Sequence, residues 1–376
     1  MNKKVISIVL NNFINDTRVL KEAITLQTNG YDVSVVALHE EGLHEYDHQS
    51  GINIHRVKLK SRLWGNSKFL KLIKYLEFIY RTVKYYRKSD ILHCNDLHTL
   101  PIGVIIKLFF NKNTKIVYDA HEFEINDRPN QSALSIKFHY WFENAFIRYT
   151  DQIITVSDSI ADEYQKLYTI PKPALVLNAP PLQHVEKKDI FRETFNIQNH
   201  QTIFLYQGGV SKGRGIEILL QTFQIPSNPN YVIVFMGNGP LSGHIQEASQ
   251  HSDRIFYHPA VSPEILLDYT ASADYGILFY ENSCLNHYYC SPNKMFEYIM
   301  AGLPVIVSNL YEMAKIVNTH HIGIVANENS PQGLIDAMDK ITNLNLSNLQ
   351  ANTKLIQKTY NWEIQAKKLL EVYHAL

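Results

Sequence analysis

The stretch Ser291–Val307, with the sequence SPNKMFEYIMAGLPVIV, predicts a helix that starts near Pro292 and leads through a short turn into an apolar strand. The same rhythm of apolar runs and helical segments extends along the chain in both directions. Each run is continuously apolar instead of alternating with polar residues, which is typical of strands buried on both faces of a parallel sheet. We therefore predict an α/β fold.

The length of 376 residues exceeds what one compact core usually holds, so two domains are expected. A pause rich in proline and polar residues separates two series of predicted strands: 5–10, 33–38, 52–57, 91–94, 116–118, 153–156 and 174–177, then 203–206, 231–236, 255–257, 275–279, 304–307 and 322–325. We predict two doubly wound, Rossmann-like domains facing a central cleft, because ligands of such sheets bind beyond the carboxyl ends of the strands. The expected boundaries are 1–180 for the first domain, 181–200 for a linker, 201–358 for the second domain and 359–376 for a last helix.

The composition excludes several classes of protein. Lys and Arg total 36, as do Asp and Glu, so the overall charge does not indicate a nucleic-acid partner. The three cysteines contain no C-x-x-C pair, which argues against zinc ribbons, thioredoxin-like motifs and disulfide scaffolds and favours a reducing cytoplasm. The first apolar run is too short for a signal peptide, and no run approaches the ~20 residues of a membrane span. We expect a cytoplasmic protein.

Three segments that follow predicted strands carry residues suited to an anion. Gln207–Gly215 joins a strand to a helix and combines glycines with two cations, so it could bind a phosphate, although a simple turn is the alternative. Gly237-Asn238-Gly239 is a weak match to a dinucleotide fingerprint and is more simply a tight turn beside the cleft. Lys294 and Glu297 share one helical face, where they could hold a phosphate and ribose hydroxyls or form a surface ion pair.

Residues 56–88 contain eleven Lys and Arg residues and one acidic residue, Glu77. Seven apolar residues within them form a helical stripe: Phe69, Leu72, Ile73, Leu76, Ile79, Tyr80 and Val83. We expect this stripe to pack on the sheet and most of the cations to lie on the far side. The basic face, together with Trp64, is either simply solvated or rests on an anionic membrane surface. Nucleic acid is disfavoured because the aromatic residues mostly belong to the packing stripe.

Several blocks of the chain resemble the glycosyltransferases of the GT-B fold and, among these, the retaining enzymes of family 4. The blocks extend over nearly the whole chain, and the last one is the most specific: residues 90–96, 118–122, 156–159 with 178–180, 361–363 and 291–306. The resemblance implies a nucleotide-sugar donor held by the second domain and a glycan or lipid-linked acceptor offered by the first. It also implies that the last helix packs back on the first domain.

The resemblance and the loop positions together assign expected roles to individual residues. The expected catalytic residues are His121, Arg214, Lys294 and Glu297. The expected donor-binding residues are Gly208, Gly209, Lys212, Asn238, Gly239, Val261, Ser291, Pro292 and Asn293. On the acceptor side we expect Asp16, Arg18, Asp96 and Glu122, with helix capping as an equally good explanation of Asp16.

Two positions depart from the family pattern. The E-x7-E motif of the family has its second glutamate at Glu297, but Tyr289 stands at the first. Gly209 stands where the family has the first cation of an Arg/Lys pair, so that only Arg214 is retained. We expect Lys212 or Lys294 to supply the missing charge.

The chain contains no D-x-D motif, so we expect no metal and no other cofactor. The charge of the leaving diphosphate would be neutralised by Arg214, Lys294 and the backbone amides around Gly208 and Gly209. The resemblance implies retention at the anomeric carbon. The expected function is transfer of a sugar from a nucleotide-diphosphate sugar in surface polysaccharide or glycoconjugate biosynthesis, by a cytoplasmic protein peripheral to the inner face of the cell membrane. Two alternatives are a nucleotide-sugar epimerase and a catalytically silent GT-B protein that binds a partner glycosyltransferase, the latter suggested by Tyr289 and Gly209.

Overall fold

A computed structural model describes residues 2–65 and 67–376 of the chain. The chain forms two compact units. Unit 1 comprises the residues up to Asn126, Gln131–Val176 and Ala366–Leu376, and unit 2 comprises Asp127–Asn130 and Leu177–Gln365.

Unit 1 contains a twisted sheet covered by helices. Its strands are β1 (Lys4–Ile8), β2 (Asp32–Leu38), β3 (Tyr46–Gln49), β4 (Ile52–Val57), β5 (Ile91–Asn95), β6 (Lys115–Ala120), β7 (Gln152–Thr155) and β8 (Ala174–Leu175). Its helices are α1 (Thr17–Thr28), α2 (Lys68–Tyr86), α3 (Leu100–Phe109), α4 (Ala133–Ile147) and α5 (Asp158–Tyr168), with short 3₁₀ turns at Lys60–Leu63, Leu97–Thr99 and Glu124–Asn126. The strand order is β3-β4-β2-β1-β5-β6-β7-β8, and every pairing except β3 with β4 is parallel.

Unit 2 repeats this architecture with a smaller, fully parallel sheet. Its strands are β9 (Thr202–Gln207), β10 (Tyr231–Met236), β11 (Ile255–His258), β12 (Tyr275–Leu278), β13 (Val305–Val307) and β14 (Gly323–Val325). They lie in the order β11-β10-β9-β12-β13-β14. The helices are α6 (Ile190–Phe195), α7 (Ile216–Gln224), α8 (Ser242–Gln250), α9 (Leu266–Thr270), α10 (Leu285–Tyr289), α11 (Asn293–Met300), α12 (Tyr311–His320), α13 (Pro331–Thr342) and α14 (Leu346–Ile356).

Short polar side chains define where several helices begin. Asp16 caps α1, Ser67 caps α2 and Ser132 caps α4, each by accepting a hydrogen bond from a backbone amide in the first turn. The last helix, α15 (Trp362–His374), begins in unit 2 and ends in unit 1. There the hydroxyl of Tyr373 lies 2.7 Å from His93 Nδ1 of β5.

The structure confirms the α/β fold with parallel sheets. All thirteen predicted strands are present, and β10 and β4 have the predicted bounds. The sequence missed β3, a polar edge strand in which every residue is exposed or half-buried. It also missed α6, which lies within the expected linker and buries Phe191. Within the described residues, no helix is both long and apolar enough to cross a bilayer.

Candidate functional site

Two glycine loops pack backbone against backbone at the carboxyl end of the unit 2 sheet. Gly208 follows β9, and Gly237 follows the neighbouring strand β10. A Cβ atom on Gly237 would lie 1.9 Å from the carbonyl oxygen of Gly208, and one on Gly239 would lie 2.1 Å from that of Val210. These contacts leave no room for a side chain at Gly237 or Gly239, so glycine at both positions keeps the two loops in contact.

Two cations lie at the first of these loops, one from helix α11 and one from the loop itself. Lys294 of α11 places Nζ 3.7 Å from where a Cβ atom on Gly208 would lie, and Arg214 places Nη1 3.3 Å from the same point on Gly209. Both cations also lie near the ring of Tyr280, at 5.5 Å for Lys294 and 5.7 Å for Arg214. The structure therefore brings Lys294, which is distant in sequence, to the predicted segment that contains Gly208, Gly209 and Arg214.

The amine of Lys294 is buried. The residue is 5% exposed, and Nζ lies 3.8 Å from the ring centre of Tyr206 with no hydrogen-bond partner among the described residues. Burial, reinforced by the charge of Arg214, holds the pKa of Lys294 well below its usual range, although Glu297 and Cys290 act in the opposite direction. The Tyr206 ring would favour a charged amine, but it does not offset this burial. An anion at Gly208 would give the amine a partner.

The backbone amides contribute less to this site than the sequence predicts. The amide of Gly208 donates to the carbonyl of Met236 at 2.9 Å, and that of Gly239 donates to Ser242 Oγ at 2.9 Å. The expectation that the Gly208 amide binds phosphate is therefore wrong, because strand pairing already uses it. The backbone amide of Gly209 therefore remains the candidate donor to a phosphate.

Helix α11 is fastened to the end of β9 by its polar residues. The side-chain amide of Gln207 donates to Glu297 Oε2, and its carbonyl oxygen accepts from the hydroxyl of Thr270 at 2.8 Å. The hydroxyl of Tyr298 donates to the carbonyl of Leu205 at 2.9 Å. These bonds fix the helix that carries Lys294 and Glu297.

The other predicted donor residues lie at varying depth around this cluster. Ser291 is buried, and its Oγ has no partner among the residues that the structure describes. The remaining predictions occupy loops or the start of α11: Pro292 and Val261 half-buried, and Asn293, Asn238, Gly239 and Lys212 exposed. Lys212 and Lys294 were the two residues expected to replace the missing cation. The geometry favours Lys294, because its side chain is buried beside Gly208, whereas Lys212 is exposed.

Tyr289 ends α10 at the position of the missing glutamate. Its ring lies 5.0 Å from that of Tyr288 and 6.3 Å from that of Tyr311, with interplanar angles of 70° and 78°. An aromatic cluster thus stands where the family pattern has a carboxylate.

A buried ion-pair network lies in unit 1 between α1 and β6. Arg18 Nη2 donates to both carboxylate oxygens of Asp119, at 2.8 and 2.9 Å, and lies 3.1 Å from Glu22 Oε1. Although burial opposes it, Arg18 holds the pKa of Asp119 well below its usual range, whereas burial raises the pKa of Glu22 to about 7. Arg18 is thus bound to buried carboxylates, and its contact with an acceptor stays a prediction.

His121 follows β6 and lies between two carboxylates. Its Nε2 is 3.3 Å from Asp119 Oδ2, and its Nδ1 is 3.4 Å from Asp96 Oδ1. Burial alone would lower the pKa of His121, but Asp96 and Asp119 together raise it to about 9. The ring is therefore positively charged at neutral pH, and 19% of the side chain is exposed.

The other acceptor-side predictions have distinct environments. Asp16 is the N-cap of α1, as the capping alternative predicts, and also accepts from Asn11 Nδ2 at 2.8 Å. Glu122 is exposed, and Asp96, which has φ +61°, is half-buried. Burial, the nearby charge of Asp96 and a hydrogen bond to Asp96 raise the pKa of Glu124 well above its usual range.

Sequence reasoning missed the residues that surround His121. Glu22, His93 and Asp119 offer ligand atoms within 4.8 Å of one another, a spacing that a metal ion could also occupy. Arg18 already supplies the cation to Asp119 and Glu22, so we interpret the cluster as an ion-pair network. The available signal was one polar residue inside an otherwise apolar predicted strand, His93, and one directly after another such strand, Asp119.

The two α/β units, with two cations beyond the strand ends of the second, resemble the GT-B glycosyltransferases. Residues 17–179 match the model of glycosyltransferase family 4, and residues 225–371 match that of the C-terminal domain of glucosyltransferase 3-like proteins. The protein is a glycosyltransferase of the GT-B fold, and its amino-terminal part is similar to family 4 over the matched residues.

Known proteins similar to this chain include one relative and several solved structures. An uncharacterized glycosyltransferase of Methanocaldococcus jannaschii is 23% identical over 93% of this chain and 90% of its own length. Sucrose-phosphate synthase of Thermosynechococcus elongatus has a TM-score of 0.81 at 17% identity, covering 99% of this chain and 98% of that one. HepE of Anabaena, solved in complex with UDP and glucose, has a TM-score of 0.76 at 13% identity over the full length of both chains.

Proposed function

We propose that the protein transfers a sugar from a nucleotide-diphosphate sugar to a glycan or lipid-linked acceptor. The observation that carries this proposal is the convergence of Lys294 and Arg214 on Gly208 and Gly209 at the end of β9. Two cations at consecutive glycines suit a diphosphate, whose charge must be neutralised in a partly buried place. The complexes of HepE with UDP and with UDP-glucose support a nucleotide-sugar donor for this fold.

Unit 2 would stabilise the leaving group. As the bond to the sugar breaks, negative charge develops on the diphosphate, and Arg214, Lys294 and the amide of Gly209 are placed to stabilise it. Glu297, held by Gln207, would accept hydrogen bonds from the ribose hydroxyls. We propose that this set of groups makes the reaction metal-independent.

His121 would contact the donor sugar as a charged hydrogen-bond donor. Its charge is maintained by Asp96 and Asp119, so it would donate to a sugar hydroxyl without first gaining a proton. The resemblance to retaining enzymes supports the proposal that the acceptor attacks from the side that the diphosphate leaves. This course retains the configuration at the anomeric carbon.

The acceptor is proposed to be lipid-linked, in surface polysaccharide or glycoconjugate assembly at the inner face of the cell membrane. Support comes from the basic segment 56–88, although the structure pairs four of its eleven cations with carboxylates: Arg56, Lys58, Arg62 and Arg81. The cations that stay exposed lie mainly on and after α2, where Lys68, Lys71, Lys84 and Lys88 are found. They would favour an anionic surface.

The test is nucleotide release from UDP-, GDP-, ADP- and dTDP-sugars, with and without a crude lipid-linked acceptor fraction, in EDTA. We expect acceptor-stimulated release of one nucleotide. Replacing Lys294 or Arg214 by methionine should reduce that release by roughly 10²- to 10³-fold, whereas Lys340→Met, on an exposed position of α13, should leave it unchanged. Release that requires added manganese would contradict metal independence, and no release from any donor would contradict the proposal.

A further inference from the structure

An apolar stripe of α2 is directed outward. Phe69, Leu72, Leu76 and Tyr80 are spaced three or four residues apart, and all four are exposed, Phe69 to 70%. The expectation that this stripe packs on the sheet is therefore wrong for these residues. The fully buried residues of α2 are Phe78, Thr82 and Val83, all in its second half, whereas Ile73 and Tyr75 in the first half are half-buried.

A second outward stripe lies on α4. Leu134, Phe138 and Trp141 share one helical face, and Leu134 is 80% and Trp141 65% exposed. The rings of Phe138 and Trp141 lie 6.5 Å apart. Soluble surfaces tolerate single apolar residues, but an aligned set of large ones marks a surface that contacts another apolar phase or molecule.

The two stripes lie on helices that both pack against α3. A short chain of contacts also links α2 to α4 beside the stripes. Tyr75 of α2 donates from its hydroxyl to the carbonyl of His98 at 2.8 Å, and the ring of His98 lies 6.4 Å from that of His139, which follows Phe138 in α4. We call Phe69, Leu72, Leu76, Tyr80, Leu134, Phe138 and Trp141 together the apolar surface.

The charge around the apolar surface has one sign. The carboxylates of the two helices are Glu77 and Glu143, and both are occupied by contacts within the chain. Glu77 pairs with Arg81 at 2.7 Å, and Glu143 is buried where it accepts from the hydroxyls of three tyrosines, Tyr118, Tyr164 and Tyr168, at 2.6 Å each. Exposed cations, Lys68 and Lys84 on α2 and Lys137 on α4, flank the stripes.

We infer that the apolar surface enters the interfacial layer of an anionic lipid bilayer, with Trp141 and Phe138 among the side chains that insert. Exposed aromatic and leucine residues flanked by cations fit such a layer, in which rings lie at the headgroup level and lysines meet lipid phosphates. The inference extends the proposed function, since a lipid-linked acceptor would be met there. Attraction by the basic segment 56–88 would require only contact with lipid headgroups. The inferred insertion also requires contact between the apolar surface and the acyl chains.

The three tryptophans of the chain provide the test. Trp141 is 65% and Trp64 52% exposed, whereas Trp362, in α15, is 8% exposed. The protein is mixed at low salt with vesicles of phosphatidylglycerol and phosphatidylcholine in equal amounts, with bromine carried on the acyl chains. We expect quenching of tryptophan emission that is reduced in Trp141→Phe and absent in the Trp64→Phe, Trp141→Phe double variant, which retains only Trp362.

A double variant on the apolar surface and a control variant elsewhere separate insertion into the bilayer from general adhesion to it. Leu134→Ser combined with Phe138→Ser should lower the vesicle partition coefficient by roughly tenfold for each side chain removed. Leu355→Ser, at an exposed leucine of α14, should leave it unchanged. Nucleotide release without acceptor reports on folding and on the proposed function independently of vesicle binding.

Three outcomes would overturn the inference: no binding to these vesicles, binding without quenching of Trp141, or a dimer that the Leu134→Ser, Phe138→Ser variant dissociates. The second would indicate adhesion by charge alone, and the third a second copy of the chain as the occupant. Each can occur while nucleotide release is normal, so failure here differs from failure of the proposed function.

Discussion

The buried amine of Lys294 predicts that the protein takes up a proton when a nucleotide diphosphate binds. In the free protein, burial and Arg214 hold the pKa of Lys294 well below its usual range, so the amine loses its proton in a pH range where an exposed lysine is still charged. A diphosphate at Gly208 would bring negative charge to the amine and raise that pKa. Binding and protonation are then coupled.

The size of the coupling follows from the geometry. A phosphate over Gly208 would lie about 4 Å from Nζ, where one pair of unit charges in a partly screened site contributes about 4 kcal/mol. This energy corresponds to a rise of about three pKa units. Because the protonated amine binds the anion better, affinity is highest at low pH. It falls by up to about tenfold per pH unit as pH rises from the free to the bound pKa.

Isothermal titration calorimetry with UDP and GDP in buffers of different ionisation enthalpy measures the proton directly. The titration is done at a pH where the diphosphate itself is fully ionised. We expect uptake of about one proton per nucleotide within that window. Lys294→Met should bind more weakly with no proton uptake, and Lys294→Arg, whose side chain stays charged, should show no uptake either.

A binding enthalpy that is independent of the buffer in the unmodified protein would refute the reasoning. It would mean that Lys294 is already charged when free, and that the ring of Tyr206 and the carboxylate of Glu297 offset its burial. Equal uptake in Lys294→Met would assign the proton to another group.

Two further predictions concern stability in urea unfolding. Gly276→Ala would place a Cβ atom 2.5 Å from the buried ring of Tyr298 and should lower the free energy of unfolding by about 1–3 kcal/mol. Gly243→Ala, where a Cβ atom meets nothing within 4 Å, is the control. Equal stability of the two variants would contradict this packing. Arg18→Met would leave Asp119 and Glu22 buried without their cation and should cost about 3–5 kcal/mol. An Arg18→Met protein as stable as the unmodified one would show that the carboxylates are not held as charged groups.

The sequence predicts the sheets well because buried parallel strands are continuous apolar runs. It fails for β3, whose residues lie at the polar edge of the sheet, and for the outer face of α2. A helical pattern shows which residues share a face, but it does not show whether a neighbouring element covers that face. For Phe69 and Leu72 none does, and they are exposed.

The sequence predicts which residues form the candidate site, but not the environment in which they lie. Lys294 and Arg214 were identified from local motifs, but the burial of Lys294 depends on Tyr206 and Tyr280, which are distant in sequence. The Gly208 amide was misjudged because its partner, the carbonyl of Met236, belongs to a different strand. Pairings between remote residues come from the folded chain, and no local spacing indicates them.

The path of α15 has a consequence for biosynthesis. Unit 1 takes residues from both early and late parts of the chain, and its core includes Leu369 and Tyr373, which are almost fully buried. During translation, unit 2 has all its residues once Gln365 has left the ribosome, whereas unit 1 is still without its last helical segment. The part of the chain made first is thus completed last, and until then His93 lacks the hydroxyl of Tyr373.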